Sequence, residues 1–240
     1  MTSNIPEILL LCMDSDFIAA FNSAMTNIWP NHVDKIKIKT VNERLNSIPA
    51  STTFDLIVSP ANSYGRLDGA FDHAISMTFS PHHDYHALTR AAQLVLYDKY
   101  RGFAPPGSCT LVEFPAPLKQ NPRGCSWVAL CPTMREPDDV NWDREVVFEC
   151  TWSLLCQVEG HNRKVSERRH GTGSARIERL LMTPLAVGVG KVSKERWAAQ
   201  TVLAFKQFVE AVENPGEWSA LQWGRIERIA NEINETWKDN

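Results

Sequence analysis

Short apolar runs alternate with longer segments of helical periodicity along this chain, and this alternation constrains the fold more than any other feature. Residues 8–13 and 54–58 are apolar runs too short for a helix, whereas residues 193–212 carry apolar side chains at helical spacing. Strands that alternate with helices of about ten or more residues form βαβ units, which place helices on both faces of a largely parallel sheet. We therefore predict an α/β fold, a three-layer α/β/α sandwich around a mixed, mostly parallel central sheet.

The same patterns predict the remaining elements. Residues 35–39 alternate polar and apolar side chains, as a strand with one solvated face does, while the continuously apolar run 54–58 suits the centre of a sheet. Asp14 can cap a helix that carries apolar side chains as far as Met25. The other strands are expected at residues 109–114, 127–131 and 179–187, and the other helices at residues 68–79, 84–100, 142–158, 193–212 and 218–237.

One domain accounts for the length of the chain. Its 240 residues contain no internal repeat or low-complexity tract, and single α/β domains often reach this size. We expect one domain over residues 1–240, with the amphipathic helix 218–237 packed on it. Residues 161–179 hold six arginine and lysine side chains against two glutamates, and we interpret them as a mobile basic loop.

Charge and cysteine content narrow the class of protein. The 25 basic and 28 acidic residues give a net charge of −3, which argues against a nucleic-acid-binding protein, because such affinity needs a basic surface. The six cysteines form no CxxC or zinc-type spacing, so we expect reduced thiols. Residues 1–6 lack the features of a signal peptide, and no apolar run approaches the roughly 20 residues that cross a bilayer. We expect a protein of the cytoplasm or nucleus with no membrane partner.

The loop after the central strand is the first candidate for a ligand site, because ligands of α/β sheets bind beyond the carboxyl ends of the strands. The candidate segment spans residues 59–72. Its middle part, loop 1 (residues 60–69), carries Asn62, which offers both a donor and an acceptor, and Asp68, a carboxylate near the start of the next helix. Two interpretations stay open. Either these side chains contact a ligand, or Asn62 closes a turn and Asp68 caps the helix.

The loop between the last strand and the long helix is the second candidate, loop 2 (residues 183–193). Gly188 and Gly190 permit a backbone nest, and Ser193 is a suitable helix cap. Backbone N–H groups that are free at the start of a helix favour a phosphate group. The spacing around Lys191 matches neither a Walker A loop nor a dinucleotide fingerprint, so a glycine-lined turn without a ligand is the alternative.

Together the two loops resemble those of the macro domain, a fold that recognises ADP-ribose. The sequence VSPAN at residues 58–62, followed by LDGAF at residues 67–71, is similar to the first ligand loop of that family. The sequence PLAVGVGKV at residues 184–192, followed by paired alanines, is similar to the second. Residues 131–137 are also similar to a segment of a fungal and microbial subgroup, so that the resemblance covers residues 35–213.

This resemblance implies a role for each site residue. Asn62 would contact the distal ribose, and Asp68 would lie beside it as the carboxylate that hydrolytic members of the family use. The backbone of loop 2 would hold phosphate. Lys191 departs from the family's pattern, in which a small or aromatic residue is usual, and its side chain could meet a phosphate directly. The full set of further ligand-binding residues is Ala61, Gly69, Val187, Gly188, Val189, Gly190, Lys191 and, for the adenine base, Asp14.

The chain departs from the family's pattern at several positions. Residues 63–66 replace a run of glycines in loop 1, and residues 186–187 replace a Gly-Thr or Ser-Thr pair in loop 2. Asp72 stands where many members have histidine, with His73 one residue later, which argues against a histidine-assisted mechanism. Residues 41–43 replace the turn that reads adenine, and for this reason Asp14 is the candidate there.

Two functions follow from the resemblance. The first is hydrolysis at the distal ribose, as an ADP-ribose 1''-phosphate phosphatase or an ADP-ribosyl ester hydrolase in which Asp68 positions water. The second is a non-catalytic reader of ADP-ribose or of ADP-ribosylated protein. Nucleic-acid or nucleotide binding through the basic segment is a third, disfavoured by the net charge. We expect a monomer without a cofactor, whose partner is ADP-ribose or an ADP-ribosylated substrate.

The histidines and tryptophans predict structural roles. His82, His83 and His86 lie close together in sequence without further ligands in register, so we expect no metal site. The tryptophans of the C-terminal part have helical spacings that suit packing against the sheet or each other. These are Trp197, Trp218, Trp223 and Trp237.

Overall fold

In the computed structural model, which describes residues 5–167 and 175–238, the chain forms one six-stranded sheet. Each strand has four or five residues and overlaps a short apolar run in the sequence or begins close to one. The strands are β1 (Glu7–Leu11), β2 (Ile38–Val41), β3 (Leu56–Ser59), β4 (Thr110–Glu113), β5 (Trp127–Leu130) and β6 (Arg179–Met182).

The sheet is mixed and mostly parallel, as predicted. Its strand order is β2-β1-β6-β3-β5-β4, and β4 is the strand that pairs antiparallel, against β5. The continuously apolar β3 lies in the middle of the sheet, where Leu56, Ile57 and Val58 are fully buried. The alternating β2 forms an edge, where its outward side chains meet solvent.

The helices pack in layers on the two faces of the sheet, which confirms the three-layer α/β/α prediction. One core cluster joins Ile8, Val58 and Met182 to the helices α1, α5 and α6, and the other joins Leu9, Ile57 and Leu181 to α2 and α3. The bounds are α1 (Ser15–Ile28), α2 (Ala70–Phe79), α3 (Ala87–Tyr100), α4 (Ala116–Lys119), α5 (Val146–Glu167), α6 (Lys194–Glu213), α7 (Pro215–Trp218) and α8 (Trp223–Asn234).

Side-chain caps begin two of the helices where the sequence predicts them. Asp14 caps α1 by accepting a hydrogen bond of 2.9 Å from the Asp16 N–H, and Ser193 caps α6 by accepting one of 3.2 Å from the Arg196 N–H. Within the described ranges, no helix is long and apolar enough to cross a membrane.

The predicted basic loop is partly helical. Residues 161–167 are the last two turns of α5, and the buried Asn162 fixes them by donating 2.8 Å to the Ile177 carbonyl. Two of its basic residues, Arg163 and Lys164, lie on the exposed face of this helix rather than in a loop. Residues 168–174 of the predicted loop lie outside the described residues.

Other predicted bounds were wrong for local reasons. β6 stops at Met182 instead of residue 187, because Pro184 lacks an N–H and Leu185 turns inward to full burial. α5 begins at residue 146 rather than 142, because the Asp143 carboxylate accepts from the Val146 N–H at 3.1 Å. Residues 35 and 36 donate to the His32 carbonyl in a turn, so the predicted strand 35–39 shifts to β2.

The predicted helix 218–237 is interrupted. Residues 219–222 separate α7 from α8, and Trp218 is held against α5 by stacking on Trp152 with ring centroids 5.7 Å apart. Trp197 is buried between Phe17 and Phe21, as its predicted packing role requires. The packing role predicted for Trp223 is wrong, because its side chain is 76% exposed.

Candidate ligand-binding site

Four connections meet at the carboxyl edge of the sheet. Because β1, β3, β5 and β6 are parallel, the residues that follow them emerge on the same side. They are residues 12–14, loop 1, a bridging segment (residues 131–145) and loop 2. This is the edge at which α/β sheets bind ligands.

Hydrogen bonds and ion pairs join these connections to one another. The Ser63 N–H of loop 1 donates 3.0 Å to the Met134 carbonyl of the bridging segment, whose Val140 N–H donates 3.0 Å to the Gly190 carbonyl of loop 2. After loop 2, Lys194 contacts Asp16 at 2.6 Å, next to Asp14. The two loops selected from the sequence therefore belong to one continuous surface.

Asn62 closes a turn within loop 1. Its side-chain oxygen accepts from the N–H groups of Tyr64 at 3.0 Å and Arg66 at 3.3 Å, and its amide nitrogen donates 2.8 Å to the Arg66 carbonyl. Of the two interpretations that the sequence allowed for Asn62, the structure shows the one in which its side chain closes a turn. A side-chain amide has two N–H groups, so one remains for a ligand.

Asp68 does not cap the following helix. The N-cap of α2 is Gly69, which has no side chain, and the Asp68 carboxylate is paired with the Arg66 guanidinium instead. Asp68 remains about one-third exposed. A partly exposed carboxylate whose orientation is fixed by an arginine is able to hold a water molecule at the same time.

A second carboxylate, Asp72, lies beneath the start of α2 and was not selected as a site residue from the sequence. Its side chain is 6% exposed and accepts a hydrogen bond of 2.6 Å from the Ser59 hydroxyl at the end of β3. Burial raises the pKa of Asp72 to about 7, the Ser59 hydrogen bond lowers it, and the charge of Asp68 raises it further. A signal was present in the sequence, since Asp72, Ile75 and Phe79 share the buried stripe of α2.

A histidine and a tyrosine lie close to the two carboxylates. His73 Nδ1 and the Tyr85 hydroxyl are 2.8 Å apart. The pKa of Tyr85 is raised, mainly because its hydroxyl is partly desolvated. The charges of Asp68 and Asp72 also raise this pKa, whereas the charge of Arg66 lowers it. Asp68, Asp72 and Tyr85 are thus electrostatic neighbours at one end of loop 1.

Loop 2 presents consecutive free backbone donors. Within residues 5–167 and 175–238, the N–H groups of Val187, Gly188, Val189 and Gly190 make no hydrogen bond. Gly188 and Val189 are exposed, Val187 is half-buried, and Gly190 is buried. Backbone donors rarely stay unpaired, and a row of them in a loop is an anion-binding arrangement. The row ends at Gly190, three residues before Ser193, the N-cap of α6.

The left-handed residues of loop 2 are not its glycines. Ala186 has φ +61° and Lys191 has φ +55°, whereas Gly188 and Gly190 have no positive φ. Gly190 is required for space instead, because a Cβ there would lie 2.5 Å from the Ala186 carbonyl oxygen. The two left-handed residues therefore flank residues 187–190, which is a different backbone path from the one that the glycine spacing suggested.

Lys191 and Asp14, two other predicted ligand residues, both have partners. Lys191 pairs with Asp139 of the bridging segment at 3.4 Å, and Asp14 caps α1. Ala61 is fully buried, and its carbonyl accepts 3.1 Å from the Thr133 N–H. Exposed apolar side chains lie at this edge as well, among them Met13, Trp142 and Val189.

Metal ligands do not cluster in the described part of the chain: no group of three or more His, Cys, Asp or Glu residues is placed to hold an ion. A cleft of about 670 Å³ lies at the opposite, amino-terminal edge of the sheet. Its lining mixes charges of both signs with apolar side chains and includes Glu7, Asp34, Lys37, Asp55 and Arg179.

Comparisons with known proteins concern the fold. No protein-family model and no curated protein matches the chain. Among solved structures, it is similar to an Oceanobacillus iheyensis macrodomain mutant with ADPR (16% identity over 67% of this chain and 74% of that one, TM-score 0.48). It is also similar to the same organism's macrodomain with ADP, at 18% identity over 67% of this chain and 72% of that one, with a TM-score of 0.48. A third similar structure is the macrodomain of Mycobacterium tuberculosis DarG, at 16% identity over 66% of this chain and 85% of that one, with a TM-score of 0.44.

Proposed function

We propose that this protein binds ADP-ribose or a derivative of it at the carboxyl edge of the sheet. The row of free N–H groups at residues 187–190 is the observation that carries this proposal. A diphosphate carries the charge and the several acceptor oxygens that such a row requires. The sequence resemblance of loops 1 and 2 to those of the macro domain supports the same ligand.

Loop 1 supplies contacts for the sugar in this proposal. Asn62 offers its remaining amide N–H, and the first N–H groups of α2 around Gly69 point out of the helix start. Hydroxyl groups of a ribose accept from such donors and donate to the Asp68 carboxylate. The distal ribose would therefore lie against loop 1 while the diphosphate occupies loop 2.

The reaction we propose is hydrolysis at the distal ribose. Asp68 orients a water molecule and accepts its proton as the water oxygen attacks the phosphorus of a 1''-phosphate or the carbonyl carbon of an ester. Arg66 holds the carboxylate in position through their ion pair. The bond from that phosphorus or carbonyl carbon to the ribose oxygen breaks, the ribose oxygen takes the proton that Asp68 accepted, and phosphate or a carboxylic acid is released together with ADP-ribose.

A non-catalytic reader is the second candidate. The observation that favours it is the same Arg66–Asp68 pair, because a carboxylate that pairs with arginine has fewer lone pairs left to orient a water molecule. Such a protein would bind ADP-ribose or ADP-ribosylated protein and release it unchanged.

Calorimetric titration with ADP-ribose tests the binding proposal, with AMP and ADP as controls. Gly188→Glu places a carboxylate at the free N–H groups without a clash, since nothing lies within 4 Å of its Cβ position. We expect micromolar binding by the wild type that AMP does not match, and a loss of at least tenfold in Gly188→Glu.

Gly224→Glu is the matched control, since this exposed glycine of α8 also has nothing within 4 Å. It should bind ADP-ribose as the wild type does. Absence of ADP-ribose binding by the wild type, or equal binding by Gly188→Glu, contradicts the proposal.

A further inference from the structure

Arg135 of the bridging segment is held in place by two aromatic side chains. Its guanidinium carbon lies 4.5 Å from the centroid of the Phe103 ring, and its Nη1 donates 3.2 Å to the Tyr64 hydroxyl. The two rings meet edge to face, with centroids 5.8 Å apart. Stacking on an aromatic face and a hydrogen bond together fix the orientation of the guanidinium plane.

This fixed cation has no acidic partner. In the described ranges, no carboxylate lies within 4 Å of Arg135, although the neighbouring Asp139 pairs with Lys191. A guanidinium has five N–H groups, and the Tyr64 contact is the one hydrogen bond that the described residues make with it. An exposed arginine that is oriented but unpaired is suited to bidentate recognition of an anion.

The position of Arg135 connects it to the proposed ribose site. The carbonyl groups of Met134 and Arg135 both accept from the Ser63 N–H, at 3.0 and 3.2 Å, and Asn62 forms a β-bridge with Met134. The arginine therefore lies beside the turn that carries Asn62. Tyr64, the hydroxyl partner of Arg135, belongs to that same turn.

We propose that Arg135, oriented by Phe103 and Tyr64, is a binding site for a phosphate group carried on the distal ribose of the ligand. This inference rests on the proposed function and narrows it to a ligand class, a phosphorylated ADP-ribose such as the 1''-phosphate. Arg135 binds and orients the phosphate, while the row of N–H groups in loop 2 holds the diphosphate. Lysine is a poor substitute, since it lacks the planar fork that both stacks and binds two oxygens.

The test compares the dissociation constants of ADP-ribose 1''-phosphate and of ADP-ribose in the same protein. We expect the wild type to prefer the phosphorylated ligand by about tenfold, the size of one charge-assisted hydrogen-bonded contact. In Arg135→Gln the ratio of the two constants falls to about one, and Arg135→Lys restores little of it. Repeating the titration with Asp68→Asn removes any turnover during the measurement.

Arg101→Gln is the matched control, because Arg101 also lies over an aromatic ring, that of Tyr97, at the end of the helix that precedes Phe103. It should keep the full preference. Phe103→Leu removes the stacking surface but not the charge, and should lose most of the preference.

The outcomes separate this inference from the proposed function. If the wild type binds both ligands equally, or Arg135→Gln weakens both equally, the phosphate site is wrong while ADP-ribose binding stands. If the wild type binds neither ligand, the proposed function is wrong and the phosphate site with it.

Discussion

The Ser59 hydroxyl donates a hydrogen bond of 2.6 Å to the Asp72 carboxylate and so joins the end of the central strand to the first turn of α2. Both side chains are buried, and the chain between them consists of loop 1 and the first two residues of α2. The bond therefore closes the base of the loop that carries Asn62 and Asp68. It also places a carboxyl group whose pKa burial raises to about 7 beneath the proposed ribose site.

Asp72 makes the stability of the protein depend on pH. Its pKa is about 7 in the folded protein and has the ordinary value of 3.8 when the carboxyl is free in water. Between these values the folded state holds a proton that the unfolded state has lost, so the stability contribution of Asp72 is complete below about pH 4 and is lost as pH rises through about 7. Asp72→Asn removes this dependence.

Urea unfolding at pH 5 and pH 8 measures the effect. The difference in unfolding free energy that is due to Asp72 should reach up to about 3 kcal/mol, since each pKa unit is worth about 1.4 kcal/mol. Asp98→Asn, on the exposed face of α3, should retain the wild-type difference. An Asp72→Asn protein that loses as much stability as the wild type between these pH values contradicts the buried, protonated state.

The first residue of α2 is strained. Ala70 is exposed and has φ +46°, a conformation that costs an L-residue about 1–2 kcal/mol and that glycine adopts freely. We expect Ala70→Gly to raise Tm by about 2–4 °C in thermal unfolding. Ala74→Gly, later in the same helix and without a positive φ, should instead lower the stability by about 1 kcal/mol. Equal destabilisation by both substitutions would show that Ala70 is not left-handed.

The two glycines of loop 2 should differ in their tolerance of a side chain. A Cβ at Gly190 meets the Ala186 carbonyl oxygen at 2.5 Å and Val140 at 2.8 Å, whereas a Cβ at Gly188 meets nothing within 4 Å. Gly190→Ala must therefore shift the backbone, lowering Tm and weakening ADP-ribose binding at least tenfold. Gly188→Ala should leave Tm within about 1–2 °C of the wild type, as open surface sites do. Thermal unfolding and titration of both variants check this, and a reversed order would refute the described path of loop 2.

Asp68→Asn separates the hydrolase from the reader. If Asp68 accepts the proton of the attacking water, phosphate release from ADP-ribose 1''-phosphate should fall by about 10²–10⁴-fold, while ADP-ribose affinity changes only a few-fold. Glu113→Gln, at the far end of β4, serves as the control. Unchanged turnover in Asp68→Asn excludes Asp68 as the base, and a wild type without turnover on the phosphate or ester identifies a reader.

The alternation of strands and helices was predictable because its signals are local. Short apolar runs such as residues 54–58 and caps such as Asp14 depend on neighbours in sequence, and both were confirmed. The prediction was wrong where an apolar side chain packs in the core from a loop instead of from a strand. Leu185 is apolar because it packs beneath loop 2, and it extended the predicted strand beyond Met182.

For the candidate site, the sequence predicted which loops form it, but not which side chains of those loops contact one another. Loops after parallel strands must meet at one edge, so loops 1 and 2 followed from the sequence. The burial of Asp72 depends on the packing of α2 against β3, and the Arg135 site joins side chains from three separate segments. Such relationships depend on tertiary contacts that sequence spacing does not specify.

The most direct test of the central claim is to observe the backbone amides of loop 2 while ADP-ribose is added. In ¹H–¹⁵N spectra, the resonances of residues 187–190 should shift and saturate together with those of loop 1, since their N–H groups acquire acceptors. AMP should shift them less, because it lacks the diphosphate and the distal ribose. Saturating shifts at the cleft beside Glu7 and Arg179, with loop 2 unchanged, would contradict the account, as would no shift at all.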